Sequence, residues 1–95
     1  MSPLVFVINI HDPAMYAGYR SRIAPVMKRH GASVRAEYEV ASTIFTSGDD
    51  GRVNRLAVLL FPSDAARDAF FQDPEYLAAK PLLQSSTGNL NRLVP

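Results

Sequence analysis

"LVFVINIHDPAMYAGYR", residues 4–20, contains the change of period that decides the fold. Residues 4–10 are apolar on both alternating faces, apart from Asn9. A short run this rich in β-branched and aromatic side chains reads as a strand covered on both sides. Asp12 then reads as a helix N-cap and Pro13 as the first helical residue, where a missing N–H costs nothing. His11, beside them, reads as a strand-end residue near solvent. From Ala14 the period is helical: Tyr16, Tyr19, Ile23, Val26, Met27 and His30 recur at i, i+3/i+4 spacing and form one stripe. Lys28 and Arg29 complement the dipole at the end of that helix, and Gly31 suits the left-handed residue that follows it. Pro25 removes one hydrogen bond and predicts a bend in a single helix, because the stripe continues through it.

Residues 32–46 alternate again. Val34, Ala36, Tyr38 and Val40 fall on one face, Arg35, Glu37 and Glu39 on the other, and the phase blurs near Ser42–Phe45. "TSGDDG", 46–51, reads as a hairpin loop from its Gly and Asp content. Residues 53–61 form a third strand ended by Pro62. Ser63 caps a second helical region, and Asp73 with Pro74 repeats the cap chemistry of Asp12 and Pro13 within it. Pro81 and "SSTGN" are expected to close that region, and "NLNRLV", 89–94, reads as a short final strand. The order strand, helix, strand, strand, helix, strand is the split βαβ arrangement. It predicts an α+β, ferredoxin-like protomer: an antiparallel four-stranded sheet with helices on one face. Strands 4–10 and 56–61 are apolar on both faces, so the uncovered face predicts a homodimer packed sheet against sheet.

Bulk properties narrow the function. The 95 residues make one domain, 1–95, with no linker or low-complexity stretch. Ten Lys/Arg against nine Asp/Glu leave a net charge of +1, which gives no footprint for nucleic acid or an anionic membrane. Cysteine is absent, which excludes disulfides, thiolate metal sites and a cysteine nucleophile. No run approaches the ~18 apolar residues of a membrane span, and no basic segment leads into a long apolar one. A cytoplasmic location is the default reading.

"DPAMYAGYR" after a first strand, "HGA" at 30–32 and "LLFPSDAARDAFFQDPEY" at 59–76 resemble the domain-of-unknown-function family 1330 of the dimeric α+β barrel superfamily. The resemblance covers nearly the whole chain and implies a dimer whose two sheets form a barrel. It supplies no reaction. Relatives elsewhere in the superfamily look like cofactor-free monooxygenases, isomerases or haem enzymes, and a shared fold does not transmit their function. The chain departs from the family pattern at Ala32, at Arg35, which no glycines follow, and at Gln84.

Several residues bear on chemistry. His30 reads either as a pocket base of near-neutral pKa or as a capping residue at the helix end. Tyr16, Tyr19 and Tyr38 read as phenols lining a helix–sheet groove or as ordinary packing. Asn9, the polar interruption of the first strand, must be paired or face a cavity. The run Arg20, Arg22, Lys28, Arg29 and Arg35 reads as a solvated face, with recognition of an anionic ligand as the alternative. A metal site is not expected from two histidines 19 residues apart without cysteine. No catalytic triad motif or phosphate loop is present. The expectation is a dimer that binds a small organic molecule through Tyr16, Tyr19, Tyr38 and Asn9, with cofactor-independent acid–base chemistry centred on His30. A cofactor-free monooxygenase or isomerase, and a non-catalytic dimeric module, are the alternatives.

Overall fold

The structure, a computed structural model, describes residues 1–46 and 52–94. The chain runs β1 (Ser2–Ile10), α1 (Pro13–Arg29), β2 (Ser33–Glu39), β3 (Arg55–Phe61), α2 (Asp64–Gln72), α3 (Pro74–Ser86) and β4 (Thr87–Val94). The four strands form one antiparallel sheet in the order β2-β3-β1-β4. Leu4, Ile8, Ile10, Ala57 and Phe61 are buried against the helices, together with Tyr16, Tyr19, Ile23, Val26, Met27, Phe70, Tyr76 and Ala79. Alternation turns Val5, Val7, Leu56, Val58 and Leu60 to the opposite face, which no helix among the described residues covers.

Each helix starts on the predicted cap. The Asp12 carboxylate accepts from the Met15 N–H at 3.1 Å, Ser63 Oγ from Ala66 at 3.1 Å, and Asp73 from Glu75 at 2.9 Å. Gly31 has a φ of 71°, and Pro62 Cγ would lie 2.7 Å from a Cβ at that position. Both backbone conformation and space therefore require glycine. α1 continues unbroken through Pro25. Pro25 and Ser21, whose carbonyl loses its partner, are both exposed, so water can satisfy that carbonyl.

Three expectations are corrected. α3 does not stop at Pro81 but runs on to Ser86. Pro81 and Leu77, the residue whose carbonyl it leaves unpaired, are exposed, while Leu82, Leu83 and Ser86 pack inward. The Ser86 carbonyl then accepts from the N–H groups of His11 and Asp12 at 3.0 and 3.2 Å, fastening the helix end to the end of β1. Second, β2 ends at Glu39 rather than continuing to 46. The loop read at 46–51 lies, apart from Thr46, outside the described residues. Third, one extra residue, Arg35, sits between Val34, opposite Leu59, and Ala36, opposite Val58. This bulge reverses the faces along β2. Glu37 joins Val34 on the helix side, and Ala36 and Tyr38 go to the open side.

Beyond β3, Asn54 extends the sheet with its side chain. Its Oδ1 accepts from the Ile10 N–H at 2.9 Å and its Nδ2 donates to the Ile10 carbonyl at 2.8 Å. The amide thus stands in for one more pair of ladder hydrogen bonds.

Candidate functional site

A cavity of about 70 Å³ lies between the helices and the sheet. Leu4, Phe6, Ile23, Leu59, Phe70 and Leu83 make much of its wall. Its polar groups come from Tyr16, Tyr19 and Arg20 on α1, Glu37 on β2, Tyr76 on α3 and Arg92 on β4. The volume corresponds to about two waters' share of the liquid, and a dry cavity that takes benzene is about twice as large.

Two polar groupings stand on this wall. In the first, the Tyr19 and Tyr76 phenols are neighbours close enough to shift each other's ionisation. Burial, followed by the neighbouring Tyr76, pushes the Tyr19 phenol far above its ordinary 10.0. Burial also raises Tyr76, against the opposing pull of the Tyr19 hydrogen bond and the Arg92 charge. Both phenols therefore stay protonated at neutral pH and offer O–H groups to a ligand oxygen. Arg92 lies 4.6 Å over the Phe71 ring, and among the described residues it has no carboxylate within ion-pair distance.

The second grouping closes the other end. Arg20 ion-pairs with Glu37 beside the Tyr16 phenol. Glu37 also meets Arg55 at 3.3 Å, and the Arg55 guanidinium lies 5.6 Å over the Tyr16 ring. Tyr16, Arg20, Glu37 and Arg55 thus form a ring joining α1 to β2 and β3. Burial raises the Tyr16 phenol, with the Arg20 charge opposing. Outside this ring is a more open cleft of about 260 Å³, lined by Ile10, Pro13, Tyr16, Ala17, Arg20 and Arg55.

The structure brings Tyr16 and Tyr19 together on the cavity wall, with ring centroids 5.8 Å apart. It does not bring the other three predicted residues to it. Tyr38 lies on the open side of the sheet and is 60% exposed, because of the Arg35 bulge. Asn9 alternates with the buried Ile8 and Ile10, so it also points to the open side, opposite Gly88. His30 caps α1, and its Nε2 is 2.9 Å from Asp73 Oδ2. Its ring meets that of Phe70, which lines the cavity, at 85° with a centroid distance of 6.2 Å.

Sequence reasoning missed Glu37, Arg55, Tyr76 and Arg92 as lining or mouth residues. Tyr76 carried a signal, since the "DPEY" echo sets it on the second helical region as "DPAMY" sets Tyr16 on the first. Among the described residues no group of three or more His, Cys, Asp or Glu could hold a metal. No helix there is long and apolar enough to cross a membrane.

An antiparallel sheet in this order, with all helices on one face, defines a ferredoxin-like α+β protein. The chain belongs to the family described as domain of unknown function (DUF1330), whose model matches residues 4–94. Among solved structures it is similar to a protein of unknown function from Rhodopseudomonas palustris, with a TM-score of 0.80 and 21% identity over 98% of this chain and 80% of that one. It is similar to a dimeric ferredoxin-like protein of unknown function from Jannaschia sp., with a TM-score of 0.62 and 11% identity over 97% and 96% of the two chains. It is also similar to SnoaB, a cofactor-independent oxygenase from Streptomyces nogalater, with a TM-score of 0.57 and 15% identity over 100% and 94%. These likenesses are of fold. No curated protein matches the chain.

Proposed function

We propose that the protein is a homodimer that binds a small organic molecule in the cavity of each protomer. The observation that carries the binding reading is the Tyr19–Tyr76 phenol pair on an otherwise largely apolar wall. Two protonated phenols hold a ligand carbonyl or hydroxyl in one orientation, and the apolar wall selects its body. They also donate hydrogen bonds to an oxygen on which charge develops, and this stabilisation needs no cofactor. Tyr16 and Tyr19 are kept as binding residues. His30, Tyr38 and Asn9 are not carried forward, for the placements given above.

Dimerisation through the open sheet face is supported by Val5, Val7, Leu56, Val58 and Leu60, which no helix among the described residues covers. The dimeric description of the Jannaschia protein accords with it. A second reading, a cofactor-free oxygenase, is favoured by the fold shared with SnoaB and by phenols able to donate to a reduced oxygen.

A thermal-shift screen of small aromatic acids, hydroxyaromatics and quinones tests the binding reading, repeated on Tyr19→Phe and Tyr76→Phe. Binding should stabilise the wild type and weaken about tenfold in either variant. Ligand binding with no oxygen uptake and no conversion would leave a non-catalytic binding module. Absence of any stabilising compound would leave the tyrosines as packing groups.

A further inference from the structure

We infer that the ligand is a carboxylate, and that Glu37 holds its place at the cavity mouth through the ion ring with Arg20 and Arg55. The inference rests on the binding reading above and names the ligand class.

The first support is the charge balance. Arg20, Arg55 and Arg92 stand at or on the cavity, and Glu37 is the carboxylate set against them. At the mouth Arg20 and Arg55 stand against the single Glu37 carboxylate, and Arg92 adds a cation at the other end of the cavity, so positive charge is in surplus. That surplus favours an anion over a neutral ligand. Arg20 and Arg55 both direct guanidinium groups at one carboxylate, and guanidinium forks match carboxylate geometry.

The second support is the layout of space. The inner cavity, at about 70 Å³, is about half the volume of a dry cavity that takes benzene. Tyr16 and Arg20 line both this cavity and the outer cleft of about 260 Å³. The Tyr16–Arg20–Glu37–Arg55 ring therefore divides two spaces that would otherwise join. A ligand carboxylate that takes over the arginines releases Glu37 and opens the division. Its apolar body then reaches the wall formed by Leu4, Phe6 and Leu59. Glu37 is partly exposed, with 23% of its side-chain surface accessible, so it can swing into solvent without being stranded.

Competition gives this reading a signature that a structural salt bridge lacks: neutralising Glu37 should improve binding. The test is calorimetric titration of the full chain with benzoate and with benzamide, its neutral isostere, in the wild type, Glu37→Gln and Arg55→Gln. Benzoate should bind the wild type at least about tenfold more tightly than benzamide. Glu37→Gln should tighten benzoate severalfold, and Arg55→Gln should weaken benzoate about tenfold, a larger loss than it causes for benzamide. Equal binding of benzoate and benzamide to the wild type would overturn the carboxylate inference and leave the pocket reading standing. Weaker benzoate binding in Glu37→Gln, with circular dichroism unchanged, would overturn the competition. No binding of either compound to any of the three proteins would remove the pocket reading and this inference together. The wild-type comparison needs no variant to fold.

Discussion

His30 Nε2 lies 2.9 Å from Oδ2 of Asp73, which joins the C-terminal end of α1 to the N-terminal end of α3. The same carboxylate accepts from Arg29 Nη2 at 2.8 Å and, through Oδ1, from the Glu75 N–H. One side chain therefore caps α3 and holds two residues from the end of α1. In this arrangement His30 joins two helices and is not among the residues that line the cavity. His30→Ala should lower stability by about 1 kcal/mol, the usual net value of one hydrogen bond. For a domain of this size that is a fall in Tm of roughly 4–8 °C. Ligand affinity in the cavity should be unchanged. Loss of binding with Tm intact would falsify this assignment and restore His30 to the site.

Acid should act on the same junction. The Arg29 hydrogen bond, then that of His30 and the Glu75 N–H, hold the Asp73 carboxyl well below its ordinary 3.8. Its pKa is depressed by folding, so the stability it contributes is present at neutral pH. That contribution is lost as pH falls below the ordinary value and toward the folded one. Urea midpoints for the wild type and Asp73→Asn should differ most near pH 7 and converge as pH drops below about 4. A gap that stays constant down to pH 2 would rule out the linkage.

Punctuation was the legible part of this fold. Asp12 with Pro13, Ser63 and Asp73 with Pro74 act through hydrogen bonds to residues two or three positions away, so the local sequence contains the whole cause. Register was not legible. The single extra residue Arg35 sends Tyr38 outward and Glu37 inward, and the alternation on either side reads the same with or without it. The extension of α3 past Pro81 was hidden for a related reason, because the packing of Leu82, Leu83 and Ser86 decides it. The candidate site was legible only on α1, where Tyr16 and Tyr19 share one stripe. Its remaining members, Glu37, Tyr76 and Arg92, come from three other elements that only the folded chain brings together.

Gly31 offers a test of the α1–β2 turn. Its φ of 71° disfavours any residue with a Cβ, and Pro62 Cγ would stand 2.7 Å from that atom. Gly31→Ala should cost about 2 kcal/mol or more: roughly 1–2 from the left-handed backbone, with the clash added. Pro62→Ala removes the ring atoms in the way. The double variant should therefore recover part of the loss in urea denaturation, leaving the backbone component. Equal losses with and without Pro62 would mean that the clash relaxes freely.

Alkali should reveal the buried phenols. Tyr16, Tyr19 and Tyr76 all have pKa values raised above 10.0, with burial the largest cause in each. A phenol whose pKa is raised by folding stabilises the native state fully below its unfolded value. That contribution is lost as pH rises past about 10. Ultraviolet titration should therefore show these three tyrosines ionising late, in a step that coincides with loss of circular dichroism. Tyr19→Phe should leave one fewer phenol in that step. Smooth ionisation of Tyr16, Tyr19 and Tyr76 near pH 10 in the folded protein would contradict their burial.

The open sheet face gives the last prediction. Val58 sits at its centre, paired with Val5 on one side and Ala36 on the other. Specific dimers bury about 1,200–2,000 Å² in total, and a flat apolar sheet face pressed on its own copy can supply that area. Val58→Asp would place a charge without a partner in the middle of such an interface, a change that costs several kcal/mol when the charge is buried. Sedimentation velocity at micromolar concentration should show the wild type as a dimer and Val58→Asp as a monomer with the same far-ultraviolet spectrum. The wild-type Tm should rise with protein concentration, and that of the variant should not, because only the former couples folding to association. Ser85→Asp, on the exposed side of α3, introduces the same charge away from the sheet and should remain dimeric. A wild type that sediments as a monomer at tens of micromolar would leave the apolar face without a partner of its own kind.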